Sequence, residues 1–193
     1  IGVFVCFCGS NIGSVVDVRE VATYAATLDN VVFTDTNLYS CAQNTQELIT
    51  DKIKENRLNR VVVAACTPRT HEPLFQETLK NASLNRSLFE MANIRDHCSW
   101  VHAMAPREAT EKSKDLVRMA VAKARLIRPL PEQTVAVDPK AVVIGGGISG
   151  MTAALSIAEQ GFECFLVERS SDLGGNLKKV RFTLSGDDPR DLL

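Results

Sequence analysis

The sequence has no CxxC pair, no ferredoxin-like run of cysteines and no paired Cys/His spacing among His71, His97 and His102. The local signatures of common iron–sulfur sites, zinc fingers and zinc ribbons are therefore missing. Neither charge is in excess: 22 Lys and Arg against 23 Asp and Glu leave a net charge of −1. That balance gives no electrostatic attraction to nucleic acid or an anionic membrane. No apolar run approaches the roughly 20 residues that cross a bilayer. Ile1–Cys8 is apolar but lacks the basic leader and small-residue cleavage site of a secretory signal. A cytoplasmic protein with no membrane span and no nucleic-acid partner is expected. Internal repeats and low-complexity tracts are absent too, and the first residue is not Met, which suggests a processed or incompletely observed N-terminus.

What is present begins with a core: 45% of the 193 residues are apolar, enough for one large or two small domains. Six cysteines are many for a chain of a reducing compartment, where structural disulfides are rare. Five of them, Cys6, Cys8, Cys41, Cys66 and Cys98, lie in the first hundred residues.

Periodicity alternates strands with helices. Strands are expected at Ile1–Phe7, Asn30–Thr34, Arg60–Ala65 and, more weakly, Leu88–Ile94. Helical spacing joins Val15, Val18, Val21, Ala22, Ala25 and Leu28. It recurs around Gln46–Asn56, after Pro68 through Leu74, Phe75 and Leu79, and over Ala109–Ile127. This order predicts an α/β fold, a doubly wound parallel sheet with right-handed crossovers. Cys8 and Cys66 follow directly on the first and third strands, and Cys41 and Cys98 lie in loops after the second and fourth. Four cysteines distant in sequence are thus expected at the carboxyl edge of one sheet, where such folds carry their sites. Cys6 and Cys8 share one side of the first strand; Cys8, nearer the loop, is the better ligand candidate and Cys6 is expected to pack inside. On spacing alone a metal cluster, zinc, thiol redox chemistry and inert buried cysteines all stay open.

Arg128-Pro129-Leu130-Pro131 breaks the pattern, giving residues 1–128 as the first domain, 129–139 as a linker and 140–193 as a second domain. The second opens with Val142-Val143-Ile144-Gly145-Gly146-Gly147-Ile148-Ser149-Gly150, followed by a helical pattern and the strand Cys164–Val167 that ends at Glu168. Strand, glycine turn, helix, strand and acid together form a dinucleotide fingerprint. Gly145 permits the tight turn, Gly147 lets backbone approach a pyrophosphate, Gly150 lets helix and strand pack, and Glu168 accepts from ribose hydroxyls. Cys164, in mid-strand, is expected in the core. One βαβ unit is only part of such a fold, so the chain reads as the front of a longer polypeptide, with this domain truncated.

The motifs Val5-Cys6-Phe7-Cys8-Gly9-Ser10-Asn11-Ile12 and Ala64-Ala65-Cys66-Thr67-Pro68-Arg69-Thr70-His71-Glu72-Pro73 resemble the iron–sulfur A-subunit of CoB–CoM heterodisulfide reductase. So do Met91–Arg95, His97–His102 and the glycine fingerprint, and the resemblance runs along nearly the whole chain. It implies an N-terminal domain with one 4Fe–4S cluster held by unusually spaced cysteines, followed by a thioredoxin-reductase-like FAD domain. The implied cluster ligands are Cys8, Cys41, Cys66 and Cys98, with Cys6 a substitute. The implied FAD contacts are Gly145, Gly147, Ser149 and Gly150 at the pyrophosphate, Glu168 at the ribose, Arg169 near the adenosine, and Gly174, Gly175 and Asn176 in a second turn. The implied activity is electron transfer within an oxidoreductase complex of methanogenesis, with the flavin as bifurcation point. Implied partners are other heterodisulfide reductase subunits, a hydrogenase or formate dehydrogenase module, and ferredoxin. No residue is expected as general acid, base or nucleophile, and this stretch by itself is expected to be inactive. Two other classes compete with that reading, a docking module without catalysis and an NAD(P)H-linked flavin oxidoreductase.

Overall fold

The computed structural model describes residues 1–192, and the chain divides into two compact units, Ile1–Glu132 and Gln133–Leu193. In the first unit the strands are β1 (Gly2–Cys6), β2 (Phe33–Asn37), β3 (Val61–Ala65) and β4 (Phe89–Asn93). All pair in parallel, in the order β2-β1-β3-β4. The helices are α1 (Ser10–Gly13), α2 (Val18–Ala25), α3 (Gln43–Glu55), α4 (Pro68–Asn81) and α5 (Pro106–Leu126). The mixed α/β fold with a parallel sheet is the class the alternating pattern predicts.

Covered on both faces, β1 and β3 are apolar throughout and buried at every position. One face, with Val3, Val5, Val62 and Ala64, packs on α2 and α5. The other, with Phe4, Val61 and Val63, packs on Ile49 and Ile53 of α3 and Phe75 and Leu79 of α4. Burying side chains of this size stabilises by about 1.5–3 kcal/mol each. The segments leaving β1 and β3 go to opposite faces, so the neighbouring carboxyl ends of these strands open a crevice, the switch point where doubly wound sheets hold ligands.

Two sequence expectations shift. The second strand occupies Phe33–Asn37 rather than Asn30–Thr34, and Val32 is 68% exposed. This edge strand has a polar sequence because only one neighbour covers it, so the apolar run before it marks its approach. The helix expected from Val15 to Leu28 is shorter, with Asp17 as N-cap of α2 accepting from the Glu20 N–H at 3.0 Å.

The second unit contains β5 (Lys140–Ile144), α6 (Ile148–Glu159) and β6 (Glu163–Val167), with β5 and β6 parallel. Alternate strand residues are half-buried or exposed, and Cys164 is half-buried. Among the described residues no helix is long and apolar enough to cross a membrane.

Candidate functional site

Four cysteines line one small cavity at the carboxyl ends of β1 and β3: Cys6, Cys8, Cys41 and Cys66, with Tyr39, Ser40, Ala65, His71, Phe75 and Arg95. Cys6 closes β1 and is buried, yet its sulfur is engaged rather than merely packed. The backbone N–H groups of Cys8 and Ser40 donate to Cys6 Sγ at 3.2 and 3.3 Å. Cys8 lies in the left-handed region, φ 46°, and Gly9 follows at φ 54°. A non-glycine residue held there costs on the order of 1 kcal/mol, a strain that concentrates at functional sites.

Three of the four share a local design. Cys8 directly precedes Gly9, the N-cap of α1; Cys41 precedes Ala42, the N-cap of α3; Cys66 precedes Thr67, the N-cap of α4. None of these caps is closed by a side-chain hydrogen bond. The first-turn N–H groups thus start at Gln43 in α3, two residues beyond Cys41, and at Arg69 in α4, three beyond Cys66 because Pro68 has no N–H, and the positive end of each helix favours a thiolate. The Cys41 loop is braced from behind: Gln46 of α3 donates to the Ser40 carbonyl and accepts from the Thr78 hydroxyl of α4.

Burial is the first cause that pushes the Cys41 and Cys66 thiols up, and neighbouring cysteines add to it, while the Arg95 charge pulls both back. A metal bound by cysteines takes them as thiolates, so binding one here would release protons. Among the described residues no group of three His, Cys, Asp or Glu side chains gathers tightly enough for a single metal ion. Ser40, which lines the cavity, has a buried Oγ with no hydrogen-bond partner.

The structure does not bring Cys98 to this cavity. It follows β4 in a π-helical turn, Arg95–Ser99, but it is fully buried in the α2/α5 layer among Ile12, Ile94 and Val117. Burial raises its thiol too, with Ser113 as hydrogen-bond partner acting against that shift. It lies on the opposite face from the cavity; the position that joins Cys8, Cys41 and Cys66 is Cys6. Sequence reasoning placed Cys98 correctly after a strand but could not tell which face the turn would present. It also missed Arg95, whose Nη1 stands 4.0 Å from Cys8 Sγ.

In the second unit the glycine turn brings backbone close to backbone. Gly145 has φ 108°, a conformation that side chains disfavour. A Cβ at Gly150 would lie 1.8 Å from the Gly145 carbonyl oxygen, whereas a Cβ at Gly147 meets nothing within 4 Å. Gly150 thus serves packing and Gly147 leaves open space at the N-terminus of α6. Glu168 takes the Gly146 N–H at 2.7 Å and the Ser170 N–H at 2.8 Å, and these bonds hold its carboxyl down to about 2. Gly174 (φ 110°) donates to the Gly146 carbonyl at 2.7 Å, and Gly175 (φ 50°) stacks against Gly147, so the two glycine turns touch. Gly146, which the fingerprint leaves without a role, joins them both to Glu168. Ser149, Arg169 and Asn176 are exposed around this loop.

Residues 143–190 match the family described as NAD(P)-binding Rossmann-like domain. Over 97% of its length the chain is 52% identical to a protein of Archaeoglobus profundus named as like the A-subunit of heterodisulfide reductase, covering 27% of that protein. It is 54% identical over 97% of its length to the second of the CoB–CoM heterodisulfide reductase iron–sulfur A-subunits of Methanopyrus kandleri, covering 29%. It is 55% identical over 93% of its length to the A-subunit of the H2:CoB–CoM heterodisulfide, ferredoxin reductase of Methanothermobacter marburgensis, covering 27%. The chain thus spans a little over a quarter of the length of these relatives.

Proposed function

This chain is homologous over more than nine-tenths of its length to the A-subunit of heterodisulfide reductase, and on that premise we propose that it holds a 4Fe–4S cluster on Cys6, Cys8, Cys41 and Cys66 and opens an FAD site. The observation that carries this reading is the shared cavity: four thiols from three separate segments line one space at a switch point. The donor set suits an iron–sulfur group, since thiolate sulfur is its usual ligand. The partnerless Ser40 hydroxyl beside the thiols is a donor that a cluster sulfide would satisfy.

A bound 4Fe–4S cluster supplies electron transfer, and a bound flavin accepts hydride or single electrons. The chain's own part is to bind and tune. Two N–H groups fix Cys6 Sγ, burial limits water around the sulfurs, and the helix ends favour their charge. At the second site Gly145, Gly147, Ser149 and Gly150 would take the flavin pyrophosphate, Glu168 the ribose, Arg169 the adenosine end, and Gly174, Gly175 and Asn176 the second turn.

The name of the Methanothermobacter marburgensis relative joins H2, heterodisulfide and ferredoxin. For this chain we accordingly propose a relay between a hydrogenase or formate dehydrogenase module, the cluster and a bifurcating FAD, within a complex of heterodisulfide reductase subunits that also serves ferredoxin. Cys66→Ser should abolish the broad visible absorption of anaerobically prepared protein while the far-ultraviolet dichroism stays unchanged. An unaltered visible spectrum would contradict Cys66 as a ligand.

A further inference from the structure

We infer that Arg95 sets the reduction potential of the sulfur site, its guanidinium being held as a fixed positive charge against Cys8; this inference rests on the cluster reading above. Arg95 Nη1 points at Cys8 Sγ from 4.0 Å. Its Nε edge is taken by Asp96 Oδ1 at 3.2 Å, and its carbon Cζ lies 4.8 Å from the centroid of the Trp100 ring. Asp96 is itself anchored, because the Asn93 amide donates to its Oδ2 at 2.9 Å and its own N–H donates to Asn93 Oδ1 at 3.0 Å. Carboxylate and indole thus fix the guanidinium on two sides and leave one Nη edge for the sulfur.

The arrangement comes from the π-helical turn that follows β4, a rare element that often marks functional segments. The Arg95 side chain is only 19% exposed, so solvent screens its field weakly. Its charge acts on Cys41 and Cys66 as well as on Cys8. Reduction adds one negative charge to a group ringed by those sulfurs, and a fixed cation beside it favours the reduced form. Hydrogen bonds to sulfur and local charge are established levers on such potentials. Arg95 is a positioning and tuning residue here, with no proton to move.

The test is a redox titration of the full 193-residue chain, reconstituted anaerobically with iron and sulfide, followed by electron paramagnetic resonance with iron per chain as a second readout. Arg95→Gln should keep its iron and lower the ratio of reduced to oxidised cluster about tenfold at fixed poise, a shift of about 59 mV to more negative potential for one electron. Arg95→Lys, which keeps the charge, should recover most of that shift. Asp96→Asn, which removes the opposing charge, should move the potential the other way. An unchanged potential in Arg95→Gln with iron retained would overturn the inference. Loss of iron from both Arg95 variants would also overturn it, by making the residue structural. Failure of the unmodified chain to take up iron would count instead against the cluster reading.

Discussion

At the scale of single residues, the chemistry depends on what surrounds a group more than on its type. Cys6 and Cys98 are both buried cysteines at the carboxyl side of the same sheet, yet one sulfur takes two backbone N–H groups and lines the cavity while the other packs among aliphatic side chains. Glu168 shows the same dependence. Its carboxylate is held by the Ser170 and Gly146 N–H groups, which depress its folded-state value to about 2 against an ordinary 4.5. With a depressed value, the stabilisation is complete above the ordinary carboxylate range and is lost as pH falls from about 4.5 toward 2. A carbon-13 titration of the Glu168 carboxyl should find a midpoint near 2, and Glu168→Gln should flatten the acid limb of thermal stability for the Gln133–Leu193 unit. A midpoint near 4.5 would show that the Gly146 and Ser170 contacts do not form.

At the scale of elements, the glycine turn separates fold from binding. Gly150→Ala forces a Cβ onto the Gly145 carbonyl and should cost about 3 kcal/mol, read as a loss of thermal stability in the second unit. Gly147→Val meets open space; it should leave that stability within about 1 kcal/mol of the parent and abolish FAD retention by the complete protein. Retained stoichiometric FAD in Gly147→Val would overturn the fingerprint reading. Elements were legible in the sequence to the extent that burial dictated their composition. The strands β1 and β3 are covered on both faces and read as unbroken apolar strings, and the N-terminal Pro68 marks a real helix start. The edge strand β2 was displaced because its residues, Phe-Thr-Asp-Thr-Asn, need no apolar run. The π turn carried no periodic signal at all, and it alone decides that Arg95 meets the cavity while Cys98 turns into the opposite layer. Period-two alternation gave Cys6 and Cys8 a common side, but only the left-handed backbone at Cys8 shows how both sulfurs serve one cavity.

At the scale of the whole molecule, two units carry two kinds of site, thiols at the switch point of a four-stranded parallel sheet and paired glycine turns on a βαβ unit. The proposed electron-transfer role requires that Cys6, and not Cys98, completes a four-cysteine iron–sulfur site. The decisive assay is iron and acid-labile sulfide per chain in Cys6→Ser and Cys98→Ala, each prepared anaerobically beside the unmodified protein. About four irons are expected in the unmodified protein and in Cys98→Ala, with the cluster lost or incomplete in Cys6→Ser. Full iron in Cys6→Ser together with loss of iron in Cys98→Ala would contradict that assignment.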